Sequence, residues 1–278
     1  MPELPEVETV RRTVERRAGG RRILAVTDHT AGRGYARPVL HVAADAPGLA
    51  GLAGERLTGL RRHGKQLALL TRSGVLRVQL GMSGKLLHLD HERPDPPHTH
   101  LSLALEGGSR LVFSDPRRFG GVRLLRDQTA LQALWDRLGP DALEIGPAAL
   151  YGRLSGTTRA LKAALLDQDL VAGLGNIYVD ELLHTRRLAP QRPAHTVSRA
   201  LAEGLVRSMR TLLNQAVRVG GSTVRDYADA NGRAGGFQDR HRVYGRAGLP
   251  CLRCRHPLHS GVVSGRTTVW CGACVQGG

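Results

Sequence analysis

Cys251-Leu252-Arg253-Cys254 and Cys271-Gly272-Ala273-Cys274 hold all four cysteines of the chain, with sixteen residues between the pairs. Each Cys-x-x-Cys turns two thiolates toward one point, and a β-hairpin between them brings the two points together. Four thiolates close a tetrahedron and leave no open position, so the spacing predicts a zinc ribbon with one structural Zn2+. Disulfides are the alternative, but the cysteines are bunched and no secretion signal accompanies them. His256 and His259 lie inside the hairpin and are expected at the surface. Arg266 falls near the hairpin tip, before the return strand at 267–270, where a side chain can reach a phosphate.

Upstream of the ribbon the chain has two textures. From about 130 to 220 the period is helical: Leu131, Leu134 and Leu138 share a face, as do Leu201, Leu205, Met209, Leu212 and Leu213. Within this stretch Leu170-Val171-Ala172-Gly173-Leu174-Gly175-Asn176-Ile177-Tyr178 joins two helical segments through a glycine turn. The second helix would begin with free N–H groups, an address for phosphate to which Asn176 adds a donor. From about 21 to 125 the runs are short, alternating or apolar, and split by glycine: 22–26, 66–71, 75–80, 85–89, 100–105, 110–113 and 122–125. They predict a β-sandwich, with the junction near Gly139-Pro140-Asp141 as hinge. Gly220-Gly221 ends the last helix, and 231–236 is polar and glycine-rich.

The chain opens Met1-Pro2-Glu3-Leu4-Pro5-Glu6. Removal of Met1 would expose the secondary amine of Pro2, which can attack an electrophilic carbon and become an iminium. Glu3 places an acid one residue away, a catalytic pairing. Pro5-Glu6-Val7-Glu8 reads as a helix start, with Val7, Val10 and Val14 on its buried face.

Net charge is +16 over 278 residues, spread along the chain and mixed with acids. That balance points to nucleic acid rather than a membrane surface. No apolar run approaches membrane-spanning length. Lysine is scarce: Lys65, Lys85 and Lys162 stand alone among abundant arginine, a bias that GC-rich coding explains and that makes the three retained lysines candidates for needing an ammonium.

Together the Pro-Glu-Leu-Pro-Glu opening, Gly81-Met82-Ser83-Gly84, Asp115-Pro116-Arg117-Arg118-Phe119-Gly120, the glycine turn at 173–178, Val243-Tyr244-Gly245-Arg246 and the zinc hairpin resemble the formamidopyrimidine-DNA glycosylase family. The likeness covers almost the whole chain, in the family's order. Leucine after Glu3 points to the branch that excises oxidised purines. The resemblance implies an α+β multidomain protein: an N-terminal β-sandwich with a flanking helix over 1–135, a helix–two-turn–helix domain over 136–228, and a lesion loop with C-terminal zinc finger over 229–278. Double-stranded DNA carrying oxidised bases or abasic sites would lie in the cleft between the two halves of a monomeric, cytoplasmic, nucleoid-associated bacterial enzyme. Pro2 and Glu3 would carry the chemistry. Lys65 and Arg266 match residues that grip phosphate and assist elimination. Met82, Arg117 and Phe119 match a wedge that fills the void left by a flipped base; His98, Asn176 and Lys162 match further DNA contacts.

Some positions depart from the family pattern. Gln79 stands where many relatives have histidine, and Thr158-Arg159 occupies a segment that is often lysine-rich. The loop at about 222–237, expected to cover the damaged base, offers few residues with assignable roles. Two alternatives stay open here: an endonuclease VIII-like preference for oxidised pyrimidines, and a zinc-ribbon DNA binder without catalysis.

Overall fold

A computed structural model describes residues 1–31 and 39–275, which form two compact units. The first comprises Met1–Arg137 and Gly220–Gly236; the second comprises Leu138–Val219 and Phe237–Gly278.

The first unit begins with α1 (Leu4–Ala18). Val7, Val10, Val14 and Ala18 recur at helical spacing, and all are buried. Among the described residues the strands that follow form two sheets. One has β1 (Ile23–Asp28), β7 (Thr99–Leu105), β8 (Arg110–Ser114) and β6 (Lys85–Leu89) in that spatial order. The other runs β2 (Leu40–Val42), β9 (Gly121–Leu125), β5 (Val75–Gln79), β4 (Gln66–Leu70) and β3 (Gly59–His63). Pairing is antiparallel except for β2 on β9. Leu101, Leu103 and Phe113 from one sheet meet Leu69, Val78 and Leu124 from the other in one apolar cluster, which α1 also joins. The sandwich expected from the short glycine-split runs is therefore present, with its flanking helix. β2 and β3 carry too weak an apolar alternation to stand out in sequence: β2 is three residues long and largely exposed, and β3 reads Gly-Leu-Arg-Arg-His.

Helix α2 (Gln128–Trp135) starts where the Asp127 carboxylate accepts the Ala130 N–H at 2.8 Å. It ends before Leu138, so Trp135, not Leu138, shares the buried face with Leu131.

The second unit contains α3 (Pro147–Ser155), α4 (Leu161–Leu166), α5 (Asn176–Arg186) and α6 (Arg199–Arg218). α6 starts at Ser198, whose hydroxyl accepts the Leu201 N–H, and buries Leu205, Met209 and Leu213 as expected. Leu201 and Leu212 stay partly exposed, and Ala202 and Val206 are buried instead. The chain closes with the hairpin of β10 (His259–Val263) and β11 (Arg266–Trp270), and β11 packs beside α5.

Gly220–Gly236 belongs with the sandwich, because Ala230 enters its core and the Ala230 carbonyl accepts the His88 N–H of β6 at 2.7 Å.

Candidate active site and zinc centre

At the head of α1, Met1 is exposed while Pro2 and Glu3 are buried. Glu3 is the residue that caps the helix, in a capping box with Glu6. The Glu3 N–H donates to Glu6 Oε2 at 2.8 Å, and the other oxygen of the same carboxylate accepts the Ser222 N–H at 2.7 Å. The Tyr227 hydroxyl donates to the Glu6 carbonyl at 3.2 Å. Gly221, at φ +79°, makes this approach possible: a Cβ there would lie 2.5 Å from Glu6 Oε1. The backbone beside Pro2 is thus held between its own helix and the 220–236 segment.

Lys65 sits half-buried in the tight turn from β3 to β4, just after Gly64 at φ +55°. Arg62 fastens this turn to α1, donating to Glu8 Oε2 at 3.2 Å and to the Gly64 carbonyl at 3.0 Å. Glu8 also accepts from Arg11 and Arg12. Burial pushes the Glu8 carboxyl up, but the bonds from Arg11 and Arg12 and the charges of Arg11 and Arg62 outweigh it and hold the group at about 2. Its folded value lies below the ordinary 4.5, so the stabilisation is complete above pH 4.5 and lost as pH falls toward 2. Melting curves between pH 2 and 6 should therefore show Glu8→Gln losing less stability on the acid side than the native chain. Parallel curves would remove Glu8 from that role.

Two neighbouring loop tips carry exposed apolar side chains. Met82 is 41% exposed between β5 and β6, and Phe119 is 46% exposed between β8 and β9. The Arg117 guanidinium lies over the Phe119 ring, 5.0 Å from its centroid. His98 is exposed just before β7, at φ +60°, and its carbonyl accepts the Asp115 N–H at 3.1 Å.

In the second unit the expected glycine turn is present between α4 and α5, with Gly173 at φ +117°. Asn176 is the first residue of α5, and its Nδ2 donates to the Thr267 carbonyl at 2.9 Å. Arg266 is exposed at the start of β11, beside the hairpin tip at Ser264-Gly265.

Lys162 does not offer its ammonium to solvent. The residue is 0% exposed, and Nζ donates to Asp180 Oδ1 at 2.7 Å, Thr268 Oγ1 at 2.7 Å and the Thr267 carbonyl at 3.1 Å. An ammonium has three N–H donors, and these bonds use them, so the DNA contact expected of Lys162 is corrected to a structural tie. Asp180 Oδ2 accepts the Val269 N–H at 3.1 Å, completing the fastening of β11 to α4 and α5. Burial pushes the Asp180 carboxyl up to about 6 against the opposing charge of Lys162. Lys162→Met would leave that acid buried without its cation. It should cost about 3–5 kcal/mol in denaturant unfolding, with partial recovery in Lys162→Met/Asp180→Leu. An unchanged midpoint would contradict this.

The four cysteine Sγ atoms lie within 4.8 Å of one another. Three of the separations are 3.8 Å (Cys251–Cys274), 3.4 Å (Cys254–Cys271) and 3.3 Å (Cys254–Cys274). A tetrahedral ZnS4 centre with bonds of about 2.3 Å needs edges of about 3.8 Å, so the cage fits one structural Zn2+. His256 and His259 are exposed and outside the cage, and His259 stacks on Trp270 instead.

Comparison with known proteins matches this sequence of parts. Residues 1–122 match the formamidopyrimidine-DNA glycosylase N-terminal domain, 138–228 the H2TH domain of the same enzymes, and 248–277 the zinc finger found in FPG and IleRS. The chain is 44% identical over 289 residues to the formamidopyrimidine-DNA glycosylase of Cereibacter sphaeroides (strain ATCC 17029 / ATH 2.4.9), covering 99% of each. Among solved structures it resembles MutM (Fpg) from Thermus thermophilus, at 39% identity and a TM-score of 0.83, covering 99% of this chain and 98% of that one. It also resembles Lactococcus lactis Fpg in complex with DNA containing an abasic site, at 31% identity and a TM-score of 0.85, covering 99% and 100%. The chain belongs to the formamidopyrimidine-DNA glycosylase family.

Two acids that organise this glycosylase, Glu6 and Glu181, differ in how far the sequence announces them. Glu6 had a local signal, since acids three residues apart at a helix start suggest a capping box. Glu181 had none: 1% exposed, its carboxylate accepts the N–H groups of Arg242, Val243 and Tyr244, each at 2.9 Å. That acid anchors the Val-Tyr-Gly-Arg stretch singled out in the sequence.

Proposed function

We infer that this chain is a bifunctional DNA glycosylase and abasic-site lyase that removes oxidised purines, with Pro2 as its nucleophile. The damaged nucleotide leaves the stack, because its sugar carbon is inaccessible within the duplex. The Pro2 nitrogen, freed by removal of Met1, forms a bond to C1′ of the deoxyribose. Glu3 protonates the opening ring, and the base departs with the electrons of its glycosidic bond. The resulting iminium acidifies the neighbouring C–H bonds, so β- and then δ-elimination cut the strand on both sides. The chemistry needs no activated water.

The single observation that carries this reading is the buried Pro2-Glu3 pair at the head of α1, its backbone fixed by Glu6. Lys65, tied to the same helix through Arg62 and Glu8, assists elimination and holds a flanking phosphate. Arg266 grips phosphate from the finger, and His98 and Asn176 add phosphate contacts. Met82, Arg117 and Phe119 enter the stack, with Arg117 offering donors to the widowed cytosine. As functional regions, 1–135 carry the chemistry, 136–228 bind the DNA backbone, and 229–278 supply lesion loop and finger. No helix among the described residues is long and apolar enough to cross a membrane. We place the enzyme in the cytoplasm, on the nucleoid, as a monomer.

Borohydride trapping on a duplex with one 8-oxoguanine opposite cytosine, followed by peptide mapping, tests this. The expected adduct is at Pro2, and an N-terminal extension should abolish it. Capture on another side chain, or undiminished capture with the terminus blocked, would overturn the assignment.

A further inference from the structure

We propose that Asp115 and Ser83 are positioning residues that lock the two wedge tips into one rigid unit, so that Met82 and the Arg117–Phe119 pair enter the stack together. This rests on the wedge role given to Met82, Arg117 and Phe119 above.

The two tips are separate in sequence and joined by one carboxylate. Asp115 is 0% exposed, and its Oδ1 accepts the Ser83 hydroxyl at 2.6 Å. Its Oδ2 accepts the Gly120 N–H at 2.7 Å, and the Arg117 N–H points at both Asp115 Oδ1 and Ser83 Oγ, each at 3.3 Å. The carboxylate thereby reaches the residue after Met82 in one tip, and Arg117 and the residue after Phe119 in the other. Behind it, His100 Nε2 lies 3.0 Å from the Asp115 carbonyl. The loops also meet backbone to backbone. A Cβ on Gly81 would collide with the Phe119 and Gly120 backbone, and one on Gly120 would lie 2.5 Å from the Gln79 carbonyl. Both tips cross between the same two sheets, β5 to β6 and β8 to β9, so each is anchored by strands on either side.

A buried carboxylate is costly unless donors surround it, and here the donors are the tips themselves. Either tip can move away only by stripping that charge of its bonds. A wedge works against base stacking, and a tip that yields would be pushed back rather than part the bases. Ser83 carries no apolar surface into the stack; its hydroxyl carries the coupling.

The test uses the full zinc-loaded chain. Single-turnover excision is measured on an 8-oxoguanine:cytosine duplex, and strand cleavage on a single-stranded oligonucleotide with an abasic site, where there is no stack to part. Ser83→Ala should slow the duplex reaction about tenfold or more while single-strand cleavage stays within about twofold. In a Met82→Ala background the same substitution should add less than about threefold, since the two act as one unit. Asp115→Asn, which keeps the volume, should give the same split if Ser83→Ala folds poorly. Equal losses on both substrates, additive effects with Met82→Ala, or native duplex rates would overturn the lock. A native chain that cleaves neither substrate would instead refute the glycosylase reading itself.

Discussion

Glu3→Gln is expected to bind a duplex carrying 8-oxoguanine within about threefold of the native chain, yet release the base about 10²–10⁴-fold more slowly. The bond that fixes this residue runs from its backbone N–H to Glu6 Oε2, and the substitution leaves it intact. Glutamine has nearly the same volume in a site where Glu3 is 2% exposed, so packing is preserved. What disappears is the proton that opening of the sugar ring requires. Cleavage at a preformed abasic site should fall less, because that sugar already exists partly as the open aldehyde. Single-turnover kinetics on the two substrates would check the difference, and native excision rates would remove Glu3 from the chemistry.

Cys254→Ala should lose zinc and at least about tenfold in DNA affinity together. The finger's own core is small: Val243, Leu258 and Val269 cluster with the cysteines themselves. Such a core cannot hold a hairpin without metal, and structural zinc supplies about 10–16 kcal/mol of apparent binding energy to finger peptides. Losing it frees β11, which carries Arg266, and exposes the Lys162 bonds to Thr267 and Thr268. Zinc content and a binding titration on an abasic-site duplex measure both effects. Full affinity in a zinc-free variant would exclude the finger from DNA binding.

Residues that act through neighbours in the chain are the ones open to reading. The spacing of the cysteines, the valine stripe of α1 and the glycine turn before Asn176 are all local patterns, and each appears in the fold as read. Exposure at a tip is also legible for Met82, which lies between Gly81 and Gly84, and for Phe119, which precedes Gly120-Gly121. Lys162 stands out by its rarity, but rarity does not reveal its role. A lysine that reaches into solvent and one that buries three bonds are the same letter, and only the position of Asp180, Thr267 and Thr268 around it tells them apart.

The amino-acid sequence by itself determined the order of the parts, the metal cage and the pair of residues at the head of the first helix, because hydrophobic period, turn residues and short ligand spacing act over a few positions. The tertiary structure alone decided how those parts are aimed. Glu6 meets Ser222 across 216 positions, Asp115 meets Ser83 across 32, and Glu181 meets Val243 across 62. Each is a buried carboxylate that accepts from a hydrogen-bond donor far away in the chain. A buried charge must find such donors, but nothing local in the chain says which distant backbone will supply them.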